Sequence, residues 1–204
     1  MRAGLDAPWK AATEIRRRLE APAIRLGFGV RGVAWGRRWR VYGWPVIQRH
    51  RGSRIVIGDG LDLRSWYTSN PLGAQRCVLA TWLADAELRL GTDVKATGVI
   101  LCAQERVVIG DRVRLGAGVM VIDSDFHPVD AATRAADPRA GASAPVTIGD
   151  DVFIGTRATV LKGSELGAGC VVGAGSVVSG RFPPGALITG NPARVVRAVI
   201  EGEA

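Results

Sequence analysis

The chain has 204 residues, enough for one sizeable domain or for an array of repeats with a short appendage. Hydrophobic residues make up 47% of it. It has no run of about 18 apolar residues, so no transmembrane helix is expected, and its first 20 residues lack the apolar segment of a secretory signal. We therefore expect a cytoplasmic location.

The formal net charge of +8 is carried by the N-terminal quarter of the chain. Residues 1–54 hold 13 Lys or Arg against three acidic residues, a net charge of +10, whereas residues 55–204 hold 14 basic and 16 acidic residues, a net charge of −2. All six tryptophans also precede residue 83. Interleaved Trp and Arg can bind nucleic acid by stacking and phosphate contacts. Here they fall within repeats, so we expect no nucleic-acid partner.

Residues 1–32 are expected to form a helical, basic N-terminal segment. Residues 8–20 predict a short helix that begins near Pro8. Its apolar residues could share one face: Trp9, Ala12, Ile15 and Leu19. Such a helix could close the end of a repeat array, or it could lie on an anionic membrane as a basic amphipathic helix. The second interpretation would give residues 1–54 a peripheral contact with the inner face of the membrane, and both remain open.

A six-residue repeat organises the C-terminal half of the chain. An aliphatic residue returns at every sixth position: Ile148, Ile154, Val160, Leu166, Val172 and Val178. Four of these are followed directly by glycine. A small or slim residue stands four places after each of the first five: Val152, Ala158, Ser164, Cys170 and Ser176. Such a repeat is typical of a β-helix.

The period of six excludes the common alternatives, because a helix face repeats about every 3.6 residues and a strand face about every 2. A chain with this period runs straight briefly, turns a corner and repeats. The aliphatic side chain fills the interior, the slim residue leaves room where the walls converge, and glycine permits the backbone angles of the corner. Three walls make one rung, and rungs stack about 4.8 Å apart. We therefore predict an all-β fold, a parallel β-helix over residues 33–200.

Two segments interrupt the repeat. Residues 65–86 contain the turn signal Asn70-Pro-Leu-Gly73. The second interruption follows Val121, which lies 27 positions before Ile148, a distance that is not a multiple of six. The chain must therefore leave the prism and return, which predicts a protruding loop over residues 128–147. Residues 185–204 are expected to form a short tail with one last strand, a Gly-Asn-Pro turn and basic residues.

The motifs around the second interruption and the tail resemble a known family. DSDFHP precedes the loop, APVTIGDDVFIG ends it, and PPGALITGNPARVVR follows the repeats. These motifs resemble the hexapeptide-repeat acyltransferases, in particular galactoside and maltose O-acetyltransferases and the O-acetyltransferases of bacterial surface-polysaccharide assembly. The resemblance covers residues 33–200. It implies a left-handed parallel β-helix, a homotrimer with active sites between neighbouring prisms, acetyl-CoA as acyl donor, and a sugar or glycan hydroxyl as acceptor.

His127 matches the residue that the family uses as general base. The chemistry needs a group that changes charge near neutral pH and can take a proton from the acceptor hydroxyl. Asp123, Asp125 and His127 alternate, so on an extended strand they would share one face. Asp125 also stands at the slim inward place, four after Val121, where a carboxylate needs a partner. It could orient the imidazole or cap the corner of a rung.

For the donor, the resemblance implies contacts from the late rungs, namely Thr156, Ala174 and Ser179. Arg194 and Arg197 match basic positions that meet the nucleotide phosphates, a role that suits a guanidinium. A solvated basic tail is the alternative interpretation. Galactoside-type members also carry an acceptor-binding Asn at a position that falls near Gly98 here, so the acceptor pocket is expected to differ from theirs.

Three alternatives to sugar O-acetylation stay open. The first is N-acetylation of a nucleotide-linked amino sugar. The second is a metal-binding β-helix, which would need three His ligands for zinc, whereas the chain has two histidines. Its three cysteines show neither metal-ligand spacing nor a disulfide framework, so we expect no metal. The third is a non-catalytic β-helix scaffold.

Overall fold

The computed structural model describes residues 7–73 and 75–199, and in it the strands build a triangular prism of three sheets. The helices and strands of that part of the chain are α1 (Pro8–Val30), β1 (Arg40–Tyr42), β2 (Val46–Arg49), β3 (Arg54–Ile57), β4 (Asp62–Arg64), β5 (Val78–Thr81), β6 (Glu87–Leu90), β7 (Lys95–Thr97), β8 (Ile100–Ala103), β9 (Arg106–Ile109), β10 (Arg114–Leu115), β11 (Met120–Ile122), α2 (Ala131–Ala136), β12 (Val146–Ile148), β13 (Phe153–Ile154), β14 (Thr159–Val160), β15 (Glu165–Leu166), β16 (Val171–Val172), β17 (Val177–Val178), β18 (Arg181–Phe182), β19 (Ala186–Gly190) and β20 (Ala193–Ala198).

Each strand from β1 to β16 pairs in parallel with the strand three places further along the chain, as expected for a coil with three walls. The first sheet has the order β1-β4-β7-β10-β13-β16-β19-β20, the second β17-β14-β11-β8-β5-β2, and the third β18-β15-β12-β9-β6-β3. Only β19 and β20 pair antiparallel among these strands. The predicted all-β, left-handed parallel β-helix with a short N-terminal helix is confirmed, and its hand departs from the usual right-handed crossover.

The interior is filled as the repeat predicts. The six aliphatic residues from Ile148 to Val178 are at most 2% exposed, and the five slim residues from Val152 to Ser176 are at most 1% exposed. The role expected for the glycines was wrong. Gly155 does not have a positive φ, but a Cβ there would lie 2.5 Å from the backbone nitrogen of Ala174 in the next layer. These glycines are needed because successive layers approach closely, not because of the backbone angles.

Helix α1 closes the first layer of the prism, but with residues beyond the predicted helix. It extends ten residues past the expected end at residue 20 and contains Pro22. Its buried residues are Ile24 and Phe28, and the Phe28 ring packs edge-on against Trp35 with centroids 5.5 Å apart. The face expected to cover the prism is exposed instead, with Leu19 76% accessible. The predicted helix ends at residue 20, before the residues that pack against the prism, and for that reason the predicted face is wrong.

The protruding loop leaves the prism and returns without disturbing the register. Val107 pairs with Val146, 39 positions away, whereas Thr147 pairs with Glu165, 18 positions away. Because Val146 and Thr147 already belong to β12, the loop ends two residues before the expected boundary. The tail is a β-hairpin formed by β19 and β20. Parts of the expected N-terminal segment and tail, residues 1–6 and 200–204, lie outside the described residues.

No helix in the described part of the chain is long and apolar enough to cross a membrane.

Candidate active site

The root of the protruding loop lies at the corner between the second and third sheets. Here the two ends of the loop pair with each other: Ser124 and Ser143 form an antiparallel bridge. The amide of Asp125 donates to the carbonyl of Ala142 at 2.9 Å, and Ala144 donates to Asp123 at 2.9 Å. The loop therefore leaves the prism through a closed neck, and the residues just beyond that neck are held in place.

His127 stands directly beyond the neck, and the far side of the loop fixes its ring. Nδ1 lies 2.6 Å from the backbone carbonyl oxygen of Pro138. Because a carbonyl oxygen only accepts hydrogen bonds, Nδ1 must carry the proton, and in the neutral ring Nε2 then presents a lone pair. The side chain is exposed. The geometry leaves His127 able to accept a proton from a bound molecule.

A strained turn positions His127. The amide of His127 donates to the carbonyl of Asp125 at 2.7 Å, which closes a three-residue turn around Phe126. Phe126 has φ +60°, a conformation that costs a non-glycine residue about 1–3 kcal/mol. The Phe126 ring packs on Trp82 with centroids 4.7 Å apart. Gly141 passes so close that a Cβ on it would lie 2.6 Å from the backbone nitrogen of His127. The surrounding contacts thus hold the turn in a conformation that it would not adopt alone.

The expected common face of Asp123, Asp125 and His127 does not exist. Strand β11 ends at Ile122, and the turn at Phe126 breaks the alternation. Asp125 was expected to point inward but is exposed, and its carboxylate lies 3.2 Å from the Lys162 ammonium. The inward carboxylate is Asp123, which is 1% exposed.

Asp123 caps the corner of the preceding layer. Its two oxygens accept hydrogen bonds from the backbone amides of Gln104, Glu105 and Arg106 at 2.6–2.8 Å. This is the corner-capping role that the sequence left open for Asp125. The repeat breaks after Ile122. Counting positions in sixes therefore does not identify which residue of this layer points inward.

The residues expected to contact the donor lie at two corners. Thr156 and Ala174 stack in successive layers at the corner between the first and second sheets, where Gly175 donates to the Thr156 carbonyl at 2.9 Å. Ser179 is exposed at the other corner, one layer beyond Lys162. The structure therefore brings Thr156 and Ala174 together, and places Ser179 on the His127 side of the prism.

Arg194 and Arg197 are exposed on β20, at the end of the first sheet. Arg194 pairs in register with Thr189 of β19, and Arg197 with Leu187. Each guanidinium donates to a neighbouring backbone carbonyl, at 2.8 Å and 3.0 Å.

Asn70 and Gln75 supply carboxamides at the corner where the family resemblance places an Asn. Gly98 occupies that corner with φ +54°. The Gln75 side chain donates to the Gly98 carbonyl at 2.7 Å, and the Asn70 amide lies 3.4 Å from the Thr97 hydroxyl. Sequence counting missed this arrangement, because the two residues reach the corner from an interruption of the repeat.

The three cysteines cannot act as nucleophiles at neutral pH. All are buried. Burial raises the pKa of the Cys77 and Cys102 thiols to about 11 each, and it also raises the pKa of Cys170. The thiolate is the reactive form, so these groups stay protonated and inert. No group of three or more His, Cys, Asp or Glu that could hold a metal ion is found within residues 7–73 and 75–199.

Known proteins with similar sequences are acetyltransferases. Residues 145–179 match the family described as hexapeptide repeat of succinyl-transferase. A protein of Mycobacterium tuberculosis named as a probable acetyltransferase is 36% identical over 174 residues, 79% of this chain and 56% of that protein. A 2,3,4,5-tetrahydropyridine-2,6-dicarboxylate N-acetyltransferase of Staphylococcus aureus is 36% identical over 92 residues, 45% of this chain and 33% of that enzyme. The chain thus spans about half or less of the length of these curated relatives.

A solved structure covers nearly the whole chain. It is the hexapeptide-repeat acetyltransferase of Vibrio cholerae in complex with acetyl-CoA, which is 25% identical, covers 97% of this chain and 92% of its own, and has a TM-score of 0.58. In sequence and in fold, this chain resembles the hexapeptide-repeat acyltransferases.

Proposed function

We propose that the protein transfers an acetyl group from acetyl-CoA to a sugar hydroxyl, with His127 as general base. The observation that carries this proposal is the contact between His127 Nδ1 and the Pro138 carbonyl oxygen at 2.6 Å. It sets the tautomer whose Nε2 can accept a proton. The resemblance of the loop motif to sugar O-acetyltransferases supports the sugar acceptor, and we extend this proposal to the glycans of bacterial surfaces.

The reaction proceeds directly between the two bound substrates. His127 Nε2 takes the proton of the acceptor hydroxyl as its oxygen attacks the thioester carbonyl carbon. The tetrahedral intermediate collapses, the carbon–sulfur bond breaks, and the leaving thiolate receives the proton from the imidazolium. The products are an acetyl ester and free CoA. A direct transfer is favoured over an acyl-enzyme because the three cysteines are buried and protonated.

We propose that Thr156, Ala174 and Ser179 contact the donor, and that Arg194 and Arg197 bind its phosphates. Paired N–H groups of a guanidinium fit the oxygens of a phosphate. Asp125 has a supporting role in this proposal: its pairing with Lys162 at 3.2 Å ties the loop root to the next layer.

The outer face of the second sheet supports a homotrimer with sites between subunits. One outward row runs through Val46, Val78, Ile100, Met120, Thr159 and Val177, which lie in register. This row has no charge, whereas the outward rows of the other two sheets carry Arg, Lys, Asp and Glu. An uncharged, largely apolar face of this length is typical of a subunit contact.

A threefold axis facing the second sheet would also complete the site. The corner with Thr156 and Ala174 and the corner with His127 flank that sheet. Rotation by one third of a turn therefore places the first corner of one subunit beside the second corner of the next. This arrangement would bring the proposed donor contacts near the proposed base, which are separated by the width of a sheet within one chain.

We also propose that α1 makes a peripheral contact with an anionic membrane. Its face opposite the buried Ile24 and Phe28 carries four exposed aliphatic residues: Ile15 (60%), Leu19 (76%), Leu26 (68%) and Val30 (76%). The exposed side chains of Arg18 and Arg25 flank this stripe. An apolar stripe beside basic residues suits anionic lipid headgroups. A contact between the stripes of two copies of the chain would instead bring like charges together.

Vesicle sedimentation tests this contact. The protein should sediment with phosphatidylcholine vesicles that contain phosphatidylglycerol, and not with phosphatidylcholine alone. Leu19→Gln combined with Leu26→Gln should abolish sedimentation, whereas Val56→Gln, an exposed aliphatic change on the third sheet, should leave it intact. If the double variant instead changes the oligomeric state, the stripe is a subunit contact and the membrane proposal is wrong.

N-acetylation of an amino sugar is the second candidate. The similarity to the Staphylococcus aureus enzyme supports N-acetylation as the reaction, and the amino sugar is our proposal. One experiment separates the two: release of the CoA thiol is followed with acetyl-CoA and a panel of sugars, amino sugars and nucleotide sugars, and the product is treated with mild hydroxylamine. An acetyl ester is cleaved by hydroxylamine and an amide is not. Absence of acceptor-dependent thiol release across the panel would contradict sugar acetylation.

A further inference from the structure

A large cavity lies between α1, the first sheet and segment 67–71. Its volume is about 880 Å³, within the range of about 300–1,000 Å³ that holds small molecules. Its lining residues are contributed by three separate elements: Trp9, Lys10, Thr13 and Glu14 of α1, Arg40, Tyr42 and Arg64 of the first sheet, and residues 67–71. Its chemistry is therefore a property of the fold and not of any one motif.

The single carboxylate that lines the cavity is already neutralised. Glu14 accepts hydrogen bonds from the Arg17 guanidinium, at 2.5 Å for the shortest. Chiefly for that reason the pKa of Glu14 is lowered to about 2. Glu14 thus stays ionised, bound to Arg17 and 3.6 Å from the Arg40 guanidinium, and the Glu14–Arg17 pair contributes almost no net charge to the cavity.

The remaining charged side chains give the cavity a positive charge. Lys10, Arg40 and Arg64 line it, and Asp62 lies beside the two arginines. Asp62 is 3.1 Å from Arg64 but 3.9 Å from Arg40, which is longer than a hydrogen bond. Three cations against one carboxylate leave a net charge of two positive units.

Aromatic rings hold the arginines and enclose the space. The Arg64 guanidinium carbon lies 4.6 Å from the centroid of the Tyr42 ring, and Arg40 donates a short hydrogen bond to the Tyr42 hydroxyl. Trp9 and Tyr67, from two different elements that line the cavity, are 62% and 68% exposed. Exposed aromatic rings offer flat apolar surfaces on which the C–H face of a sugar ring can stack.

The cavity continues toward the proposed donor site. A second cavity of about 480 Å³ shares Arg40, Arg64 and Asn70 with the first. It follows the outer face of the first sheet past Lys95 and reaches Thr156. A ligand in the larger cavity therefore lies on the same wall as a residue proposed to contact the donor.

We infer that this cavity binds the acceptor and selects an anionic sugar, one that carries a carboxylate or a phosphate. That the bound sugar is the acceptor of the acetyl group depends on the proposed function. The guanidinium groups of Arg40 and Arg64 hold the acidic group by charge-assisted hydrogen bonds, Arg64 through the terminal nitrogen that does not donate to the Ser69 carbonyl. Trp9 and Tyr67 hold the ring.

Calorimetry on the full chain without acetyl-CoA tests the binding. The probes are glucuronic acid, glucose 6-phosphate, glucose and inorganic phosphate. At least one of the two acidic sugars should bind more tightly than glucose and more tightly than inorganic phosphate. Whether glucuronic acid or glucose 6-phosphate binds identifies the acidic group as a carboxylate or a phosphate. Arg40→Gln and Tyr67→Ala should each weaken that binding about tenfold, the usual effect of losing a contact to a charged group or an aromatic platform.

Arg89→Gln is the matched control, because Arg89 is an exposed arginine on the third sheet. It should leave binding unchanged, and thermal unfolding checks that all variants fold. The inference would be overturned if glucose bound as tightly as the acidic sugars, or if inorganic phosphate bound as tightly as the acidic sugars. So would unchanged binding in Arg40→Gln and Tyr67→Ala.

Turnover in the same variants separates this inference from the proposed function. If acidic sugars bind as described but no sugar accepts acetyl from acetyl-CoA, the proposed function fails and the anionic-sugar site stands. If neutral sugars are acetylated as efficiently as acidic ones and Arg40→Gln has wild-type kcat/KM, acetyl transfer stands and the acceptor inference fails.

Discussion

Replacement of His127 by alanine is the sharpest test of the mechanism. Turnover should fall about 10²–10⁴-fold, the usual contribution of a positioned general base. The structure predicts this loss because the Pro138 carbonyl fixes Nδ1 as the protonated nitrogen at 2.6 Å and leaves Nε2 to take the proton. Alanine offers no group that could do so.

The same change should cost the fold little. The His127 side chain is exposed and lies outside the aliphatic rows of the prism. It makes one hydrogen bond, to Pro138, and loss of such a bond costs about 0.5–1.5 kcal/mol. That cost falls on the loop. The melting temperature and the affinity for acetyl-CoA should therefore stay close to those of the wild type.

His50→Ala is the control, because His50 is also exposed and its Nδ1 accepts one hydrogen bond, from the Gly52 amide at 3.1 Å. It should retain wild-type turnover. The assay is acceptor-dependent thiol release, with calorimetry for acetyl-CoA. If His127→Ala turns over at the wild-type rate with the true acceptor, the mechanism is wrong.

Four further predictions test the site and its surroundings. Gly141→Ala should lower turnover about 10–100-fold and also destabilise the loop, since its Cβ would lie 2.5 Å from the backbone carbon of Phe126 and 2.6 Å from the backbone nitrogen of His127, and a small misplacement of a catalytic group is costly; wild-type turnover would show that the loop position is unimportant. Met120→Arg should convert a trimer to monomers in sedimentation and Val108→Arg on the third sheet should not, whereas an unchanged trimer would contradict the apolar-face contact. Arg194→Ala and Arg197→Ala should weaken acetyl-CoA binding more than acceptor binding, and less for donor without its 3′-phosphate; equal losses for both donors would rule out phosphate contacts. The three cysteines should resist iodoacetamide at pH 7, because they are buried and their raised pKa values keep the thiols protonated, and turnover should survive the treatment.

The prism could be predicted from the sequence because its burial pattern is local and periodic. Each aliphatic and slim residue from Ile148 to Val178 has the same surroundings as the residue one layer away, so a single rule describes them all. The helix was predicted less well. Its packed residues, Ile24 and Phe28, meet the aromatic ring of Trp35, and that contact depends on how the chain turns between them.

The site could be predicted only where a motif carries it. His127 was found from its motif, but its partner Pro138 lies eleven residues away across an irregular loop. The role of Asp125 was assigned from alternation, which fails at the left-handed turn of Phe126. The cavity around Tyr42 joins a helix, a sheet and an interruption of the repeat, and no pattern in the sequence links these three.

The undisturbed register around the loop has a consequence for how such a protein can change over time. Val107 meets Val146 across 39 positions in the same way that neighbouring layers meet across 18. The loop therefore does not change how the two strands pair. A longer loop costs little additional free energy to close, since the cost grows only with the logarithm of its length. The loop can therefore change by insertion and replacement, while the stability of the scaffold is inherited unchanged.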